Sequence, residues 1–458
     1  FLSKETGINK WELKSLRTRR DFITLNDIIL PYIKFETPEF KDILDKFKRV
    51  LVRVEDMKGG FKYSITHKDV KTDFGLGGLH GVRKAGEYEA RDGMIIMTSD
   101  VVSFYPRLII TNQWAPAHLP KEIFCQLYQW FFDERRKLSK KDPKNYVYKI
   151  ILNSTYGLSN EENSFLYDPE LTLRVTINGQ LSLAMLYEMI STRIPGSIPL
   201  MQNTDGLETM IPAQYKEKYL EICKEWEQLT KLELEHDEYQ KMFIADVNSY
   251  IGVSKFKQVK EDKEKGKSEK EVFEEMKAEK PHYLFKEEDG KYFYASTKCK
   301  GRLEWEDQEA KKASILHKNK SFLIVPKAVY HYFVHDMLPE KYIADNRNIF
   351  DYCGGAKIKG EWEFREQCFV EGKFTYNKLQ NTVRFYVSQE GCKIIKVNKL
   401  NGKEINLVSG KWQQTVFNQH EEKPWADYGV DDQFYLDRIY SEIENIRSLK
   451  TKNQLKLW

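Results

Sequence analysis

Two aspartates stand where an apolar run meets a turn. Asp100 closes "GMIIMTSD" and is followed by Ser103, Phe104, Tyr105 and Pro106, while Asp205 sits in "NTDG", between the apolar halves of "PLMQNTDGLETMIP". Each alone reads first as an ordinary turn acid. On neighbouring strands of one sheet the pair would repel unless cations lay between them. Mg²⁺ takes oxygen ligands and keeps positions open for phosphate oxygens. Two such ions can activate an attacking hydroxyl and stabilise a leaving pyrophosphate.

A third constellation is helical. Lys149, Asn153, Tyr156 and Gly157 fall at i, i+4, i+7 and i+8 and share one face. A cation, an amide, a ring and a bare glycine suit a triphosphate at one end and a flat base at the other. Arg136 and Lys140 form a further i, i+4 pair. Residues 135, 136, 137, 140, 141, 144 and 149 are basic against the single acid Asp142, a local +6 that exceeds the +4 of the whole chain. A solvated basic helix face has the same composition.

The elements that must position these groups are legible in outline. The Ile- and Met-rich run before Asp100, bounded by Gly93, reads as a buried strand, and Pro106 takes the chain out of the sheet. "PLMQNTDGLETMIP" reads as a hairpin with Asp205 at its tip and Gly206 supplying a positive φ. Residues 119–157 read as two helices forming an arm: Pro120 opens the first, "KKDP" breaks it, and Asp142 with Pro143 caps the second. "TPEFKDILDKFKRVL" and "NGQLSLAMLYEMISTRI" read as helices and "GFKYSITHK" as a strand. "DFGLGGLHGV" (73–82) is a glycine-rich loop that either passes close to something or simply turns tightly. Residues 255–280 carry nine lysines and eight acids, which reads as a solvated, low-complexity insertion. A helix-rich stretch after about 300 gives way to an alternating region with an Asn401-Gly402 turn, a small antiparallel sheet, and "DDQFYLDRIYSEIENI" closes as an amphipathic helix.

In this order the strand with Asp100-SFYP, Lys149xxxAsn153-Ser-x-Tyr156-Gly157 and Asn-Thr-Asp205 resemble motifs A, B and C of family B DNA polymerases (DxxSLYP, KxxxNSxYG and DTD). "GLGGLHG" is similar to the glycine-rich loop ahead of motif A in that family, "NSYIGV" to its KxY element and "KCKGRLE" to the KGxE segment that opens the thumb. The whole chain resembles the polymerase portion of a bacteriophage-type enzyme. The fold this implies is α+β, a right hand with an antiparallel-sheet palm, a two-helix fingers hairpin and a mixed α/β thumb. Residues 1–92 would lead into the palm with a template loop at 73–82, 93–119 would be palm, 120–160 fingers, 161–299 palm with the insertion 255–280, and 300–458 thumb.

The resemblance implies template-directed DNA synthesis from dNTPs by two-metal phosphoryl transfer, in phage genome replication within the cytoplasm of a bacterial host. Asp100, Asp205 and the carbonyl of Val101 would hold two Mg²⁺ ions, with Mn²⁺ as a substitute. Ser103, Arg136, Lys140, Lys149 and Asn153 would bind the triphosphate. Tyr105 would exclude a 2′-hydroxyl above Phe104, and Tyr156 with Gly157 would pack on the nascent base pair. Gly77, Gly78, His80, Tyr250, Lys298, Lys300 and Gly301 would contact primer-template DNA, sequence-tolerantly and with strong salt dependence. Two departures stand out. Asn203 replaces the first aspartate of motif C, beside Thr204 and Gly206, and Asn248 replaces the usual lysine of KxY. Only 49 residues separate Asp100 from Lys149, which favours a nucleic-acid over a protein primer.

The remaining composition fits a soluble multidomain protein. The chain has 458 residues, 41% hydrophobic and 31% charged, with 73 basic against 69 acidic residues, too long for one core. Apolar runs fall short of a membrane span, so no membrane partner is expected. Six scattered cysteines without CxxC suggest free thiols in a reducing compartment. The chain opens at Phe1 without methionine and carries no exonuclease-type DxE before Asp100, so a fragment whose 3′–5′ exonuclease was cut away or lies on another chain is expected. Two other readings use the same residues: a polymerase-like module that grips primer-template without chemistry, silenced by Asn203, and a metal-dependent nuclease, which would not need Tyr105 or the Lys149 face. "HYFVH" puts His331 and His335 at the spacing of a zinc pair, but without a third ligand it reads as ordinary helix surface.

Overall fold

The computed structural model describes residues 2–57, 61–139, 142–262, 265–305, 322–417 and 420–447. The protein is mixed α and β with antiparallel sheets. It forms two compact units, 1–84 with 89–240 and 85–88 with 241–458.

The first unit is built on an antiparallel sheet. Met94–Val101 lies between Gly206–Pro212 and the start of Leu234–Asp246; beyond Gly206–Pro212 follow Ile198–Asn203, Leu79–Val82, Val70–Phe74 and Tyr63–His67. Alternation sends Ser99 to one face, where its hydroxyl meets Tyr219 of the helix Lys216–Thr230 at 2.6 Å, and Asp100 to the other. The helix expected from "NGQLSLAMLYEMISTRI" begins earlier, at Pro169, because Asp168 caps it by accepting from the Glu170 amide. Pro169–Arg193 is buried nearly all round, so its polar residues are held by backbone groups. The Glu188 carboxylate accepts from the amides of Glu36 and Thr37, and Asn178 bonds Ile28 O and Leu30 N. Lys121–Arg136 and Pro143–Leu158 form the expected helical pair, the second capped by Asp142 with Pro143 in its first turn. Their base is core rather than arm: Phe124, Tyr128, Phe131 and Phe132 are buried, and Tyr128 donates to Leu152 O at 2.6 Å. The helix Pro38–Lys48 buries Phe40, Ile43, Leu44 and Phe47.

In the second unit Ser249–Ser254 pairs with Thr297–Cys299. The segment 255–280 is not purely solvated coil. It contributes the strand Lys257–Gln258 to a three-stranded sheet with Lys291–Ala295 and Leu284–Glu288. It also contributes the helix Glu269–Glu279, whose Phe273 packs on Phe285 and Tyr292. The charge run concealed one buried aromatic and a Ser268/Glu271 capping box. The alternating region supplies four strands of a seven-stranded antiparallel sheet, with Asn401-Gly402 turning Cys392–Asn398 into Glu404–Asn406, and Gly354–Lys357, Trp362–Val370 and Lys373–Lys378 supply the other three. The helices Ile324–His335, Pro339–Asp345 and Asp432–Arg447 accompany it. Among the described residues no helix is long and apolar enough to cross a membrane.

Two expectations hold only in part. The cysteines are not all thiols: Cys368 and Cys392 face each other on paired strands, Cα atoms 4.3 Å apart, and form a disulfide, while Cys125, Cys223, Cys299 and Cys353 are buried. Register, invisible in the spacing, made that pair.

"HYFVH" is helix surface only in part: His335 is exposed as expected, but His331 is half-buried. His331 stacks on Tyr342 and His335 at 4.6 and 5.0 Å and lies near Trp305. Burial, then the charges of His335 and Lys327, push the His331 imidazole down to about 4. Unfolded, it titrates near 6.5, so the folded state takes the proton less readily. Its contribution to stability is complete above about pH 6.5 and is lost as pH falls toward 4. A loss of roughly 1–2 kcal/mol over that window, after discounting for partial solvent screening, is expected. Urea unfolding of the second unit followed against pH should show it, and His331→Phe should flatten the slope; an unchanged slope would refute this assignment.

Candidate active site

The sheet register brings the two aspartates together. Asp100 is the penultimate residue of Met94–Val101 and pairs directly with Gly206. The Val101 amide donates to Asp205 O at 2.7 Å, tying the strand end to the hairpin tip. Asp205 is exposed and Asp100 half-buried. The turn itself differs from expectation. Gly206 does not supply the positive φ; Thr204 does, at 52°, and the Asp205 amide bonds back to Asn203 O at 2.5 Å. Gly206 is needed for another reason. A Cβ built on it would overlap the Asp100 carboxylate, so glycine clears the space that this carboxylate occupies. Ser103 is also left-handed, with φ and ψ both 49°. Non-glycine residues in that region are strained and cluster at functional sites, and here they flank both aspartates.

Tyr105 is framed on three sides. Its ring lies 4.9 Å from that of Tyr156 and 5.8 Å from Phe104, and its hydroxyl donates to Gly77 O at 3.3 Å. Burial first, then Tyr156 and Asp205, raise its phenol pKa, so it is a neutral donor at any ordinary pH. The glycine-rich loop therefore does pass close to something: Gly78 stands beside the Tyr105 hydroxyl and Thr204. His80 pairs with Asn203 and lies 3.4 Å from the Thr204 hydroxyl. Burial lowers the His80 pKa, against the opposing charge of Asp73.

On the helix Pro143–Leu158, Lys149, Asn153 and Gly157 are exposed on one face and Tyr156 is half-buried against Tyr105. The arginine brought to Ser103 is Arg135, not Arg136. Arg135 Nη1 is 3.4 Å from Ser103 Oγ and its Nε approaches Asn145 Oδ1, with burial lowering its pKa. Arg136 is exposed and lies over the Phe132 ring at 5.9 Å. Lys140 lies outside the described residues.

Several neighbours had no sequence motif to reveal them. Glu235 pairs with Asp100, and Thr98 lies between Asp237 and Glu208, so four carboxylates share one sheet face. Gln180 clamps the start of the glycine-rich loop, donating to Gly75 O at 2.8 Å and accepting from Gly75 N at 3.3 Å. Its neighbour Gly179 lies under Tyr105, where a Cβ would come within 3.3 Å of the ring. The alternation around Glu208 in "DGLETM" was the one available hint.

In the second unit Tyr250 is 5% exposed, its carbonyl accepting from the Lys300 amide. Lys298 is half-exposed and Lys300 exposed, and Gly301 opens the short turn Gly301–Leu303.

The donor set fits Mg²⁺. Two carboxylates, one at a strand end and one at the neighbouring hairpin tip, and the Val101 carbonyl would offer hard oxygen donors of the kind Mg²⁺ takes, with the Asp100 carboxylate lying in the space that Gly206 leaves. No protein-family model matches the sequence, and a search of curated proteins returns no significant match.

Proposed function

We propose that this protein is a template-directed DNA polymerase with a right-hand architecture, extending a primer 3′-hydroxyl with dNTPs. The first unit would carry palm and fingers, and the second would supply thumb and duplex contacts. The observation that carries the reading is the pairing of Asp100 with Gly206. It puts a strand-end aspartate next to the hairpin tip that carries Asp205, with Tyr105 and a glycine-rich loop nearby.

Asp100, Asp205 and the Val101 carbonyl would hold Mg²⁺, which when bound supplies charge neutralisation for phosphoryl transfer. The chain's own part is positioning and electrostatics. Arg135, Lys149 and Ser103 orient the triphosphate and offset its charge. Asn153 adds an amide donor on the same helix face. The Tyr105 ring, wedged between Tyr156 and Gly179, closes the space a 2′-hydroxyl would need, and Tyr156 presents its other edge to the base pair. Gly77 and Gly78 let a template strand approach the backbone closely.

Primer extension on a recessed DNA duplex, with Mg²⁺ and either dNTPs or rNTPs, tests this directly. Extension with dNTPs alone is expected. Tyr105→Ala should raise rNTP use relative to dNTP by about 10²-fold, roughly 3 kcal/mol of lost discrimination. A chain that binds the duplex but adds nothing would instead be a silent binding module, with Asn203 in motif C as the first suspect.

A further inference from the structure

Cys368, Cys392 and Glu366 meet on one face of the seven-stranded sheet, in a place where the sheet does not require them. Trp362–Val370 and Cys392–Asn398 pair antiparallel from Trp362↔Asn398 to Cys368↔Cys392, so the ladder holds these strands whether or not the sulfurs are joined. The other four cysteines are buried; these two are half-exposed. Glu366 precedes Cys368 by two residues and therefore lies on the same face. One of its carboxylate oxygens and both sulfurs lie within 4.8 Å of one another. A disulfide alone has no use for that carboxylate.

We propose that this triad is a redox-gated site for a thiophilic divalent cation, Zn²⁺ before any other. A dithiol reductant gives up two electrons and two protons and becomes a disulfide. The Cys368–Cys392 bond breaks and each sulfur becomes a thiol. The cation then displaces both thiol protons and is held by two thiolates and the Glu366 carboxylate, with a fourth, tetrahedral position left for water. Two thiolates select Zn²⁺ over Mg²⁺ by softness, so this site does not compete for the ion that Asp100 and Asp205 would take. Both thiols already stand on one side of the sheet, which keeps the rearrangement local. A disulfide oxidant, taking up two electrons and two protons to become a dithiol, re-forms the Cys368–Cys392 bond and releases the ion. The proposal is independent of the polymerase reading.

The test uses the full chain, reduced with dithiothreitol, freed of reductant without air, and titrated with Co²⁺. Tetrahedral thiolate ligation gives charge-transfer and d–d absorption bands. Saturation at one equivalent, displacement by Zn²⁺ and no binding before reduction are expected. Cys368→Ser and Cys392→Ser should each abolish the bands, Glu366→Gln should weaken binding at least about tenfold, and Cys223→Ser, in the other unit, should change nothing. Circular dichroism of the reduced chain should match that of the oxidised one. The proposal is overturned by absence of bands in the reduced chain, bands that survive Cys368→Ser, indifference to Glu366→Gln, or loss of the sheet on reduction.

Discussion

Asp205→Asn is expected to cut the rate of primer extension by about 10³-fold or more, with fold and duplex affinity intact. The separation follows from where Asp205 stands. Its side chain is exposed at a hairpin tip, so the substitution costs at most about 0.5 kcal/mol of stability. The bond that fixes the tip to the neighbouring strand comes from its backbone carbonyl, which accepts from the Val101 amide and survives any side-chain change. On the polymerase reading, what disappears is one of the two carboxylate charges that would hold a divalent cation at the reacting phosphate. Several kcal/mol of transition-state charge stabilisation depend on that ion, and about 4 kcal/mol corresponds to the stated factor. Single-turnover extension, thermal melting and duplex binding of the variant, measured together, check it. Activity within tenfold of the parent would mean that Asp205 is the ordinary turn acid its surroundings first suggest, and the two-metal reading would fall with it.

The parts of this site that were legible in sequence are those marked by local chemistry. Pro120, and Asp142 with Pro143, punctuate the helical pair, and both helices run as their marks require. Pro106 marked the exit from the sheet, although the strand already ends at Val101 and Pro106 lies in the first turn of the helix Phe104–Asn112. "NTDG" could be placed as a turn between two strands from the apolar stretches on either side of it. Which arginine faces Ser103 was a different kind of question. Arg135 and Arg136 differ by 100° around one helix, and the choice depends on how that helix is rotated against Phe124, Tyr128 and Phe132. The Lys140 spacing pointed to Arg136; packing favours Arg135. The Cys368–Cys392 bridge depends on strand register, the burial of Tyr250 on a sheet assembled from distant segments, and the role of Gly179 on one helix crossing another. None of these leaves a periodicity in the chain. The turn at Thr204 went further and inverted the usual rule: a threonine takes the left-handed conformation so that the glycine can be kept for a close approach.

That exchange makes Gly206→Ala the sharpest test of the geometry. Alanine adds a single methyl group and leaves both aspartates in place, yet extension is expected to fall by about 10²-fold. Gly206 sits in a strand without a positive φ, so alanine meets no backbone penalty there and the strand ladder persists. The added carbon would instead occupy the place of the Asp100 carboxylate, and it would also lie 3.1 Å from Asp100 Cγ and 3.3 Å from Ser99 O. Asp100 pairs directly with Gly206 and stands at the end of a strand held on both sides, so relief must come from rotating its side chain. The carboxylate then leaves the place from which, on the polymerase reading, it would hold the ion together with Asp205, and a misplacement of about 1 Å is enough for a loss of this size. Swinging an ionised carboxylate toward the half-buried sheet face that holds Glu208, Glu235 and Asp237 adds like-charge repulsion, so a modest fall in melting temperature should accompany the loss. Higher Mg²⁺ should recover part of the activity, because the displaced ligand weakens metal binding without removing it. An alanine variant with unchanged kcat and melting temperature would mean that Asp100 does not occupy the space over Gly206, and the paired-carboxylate site would have to be redrawn.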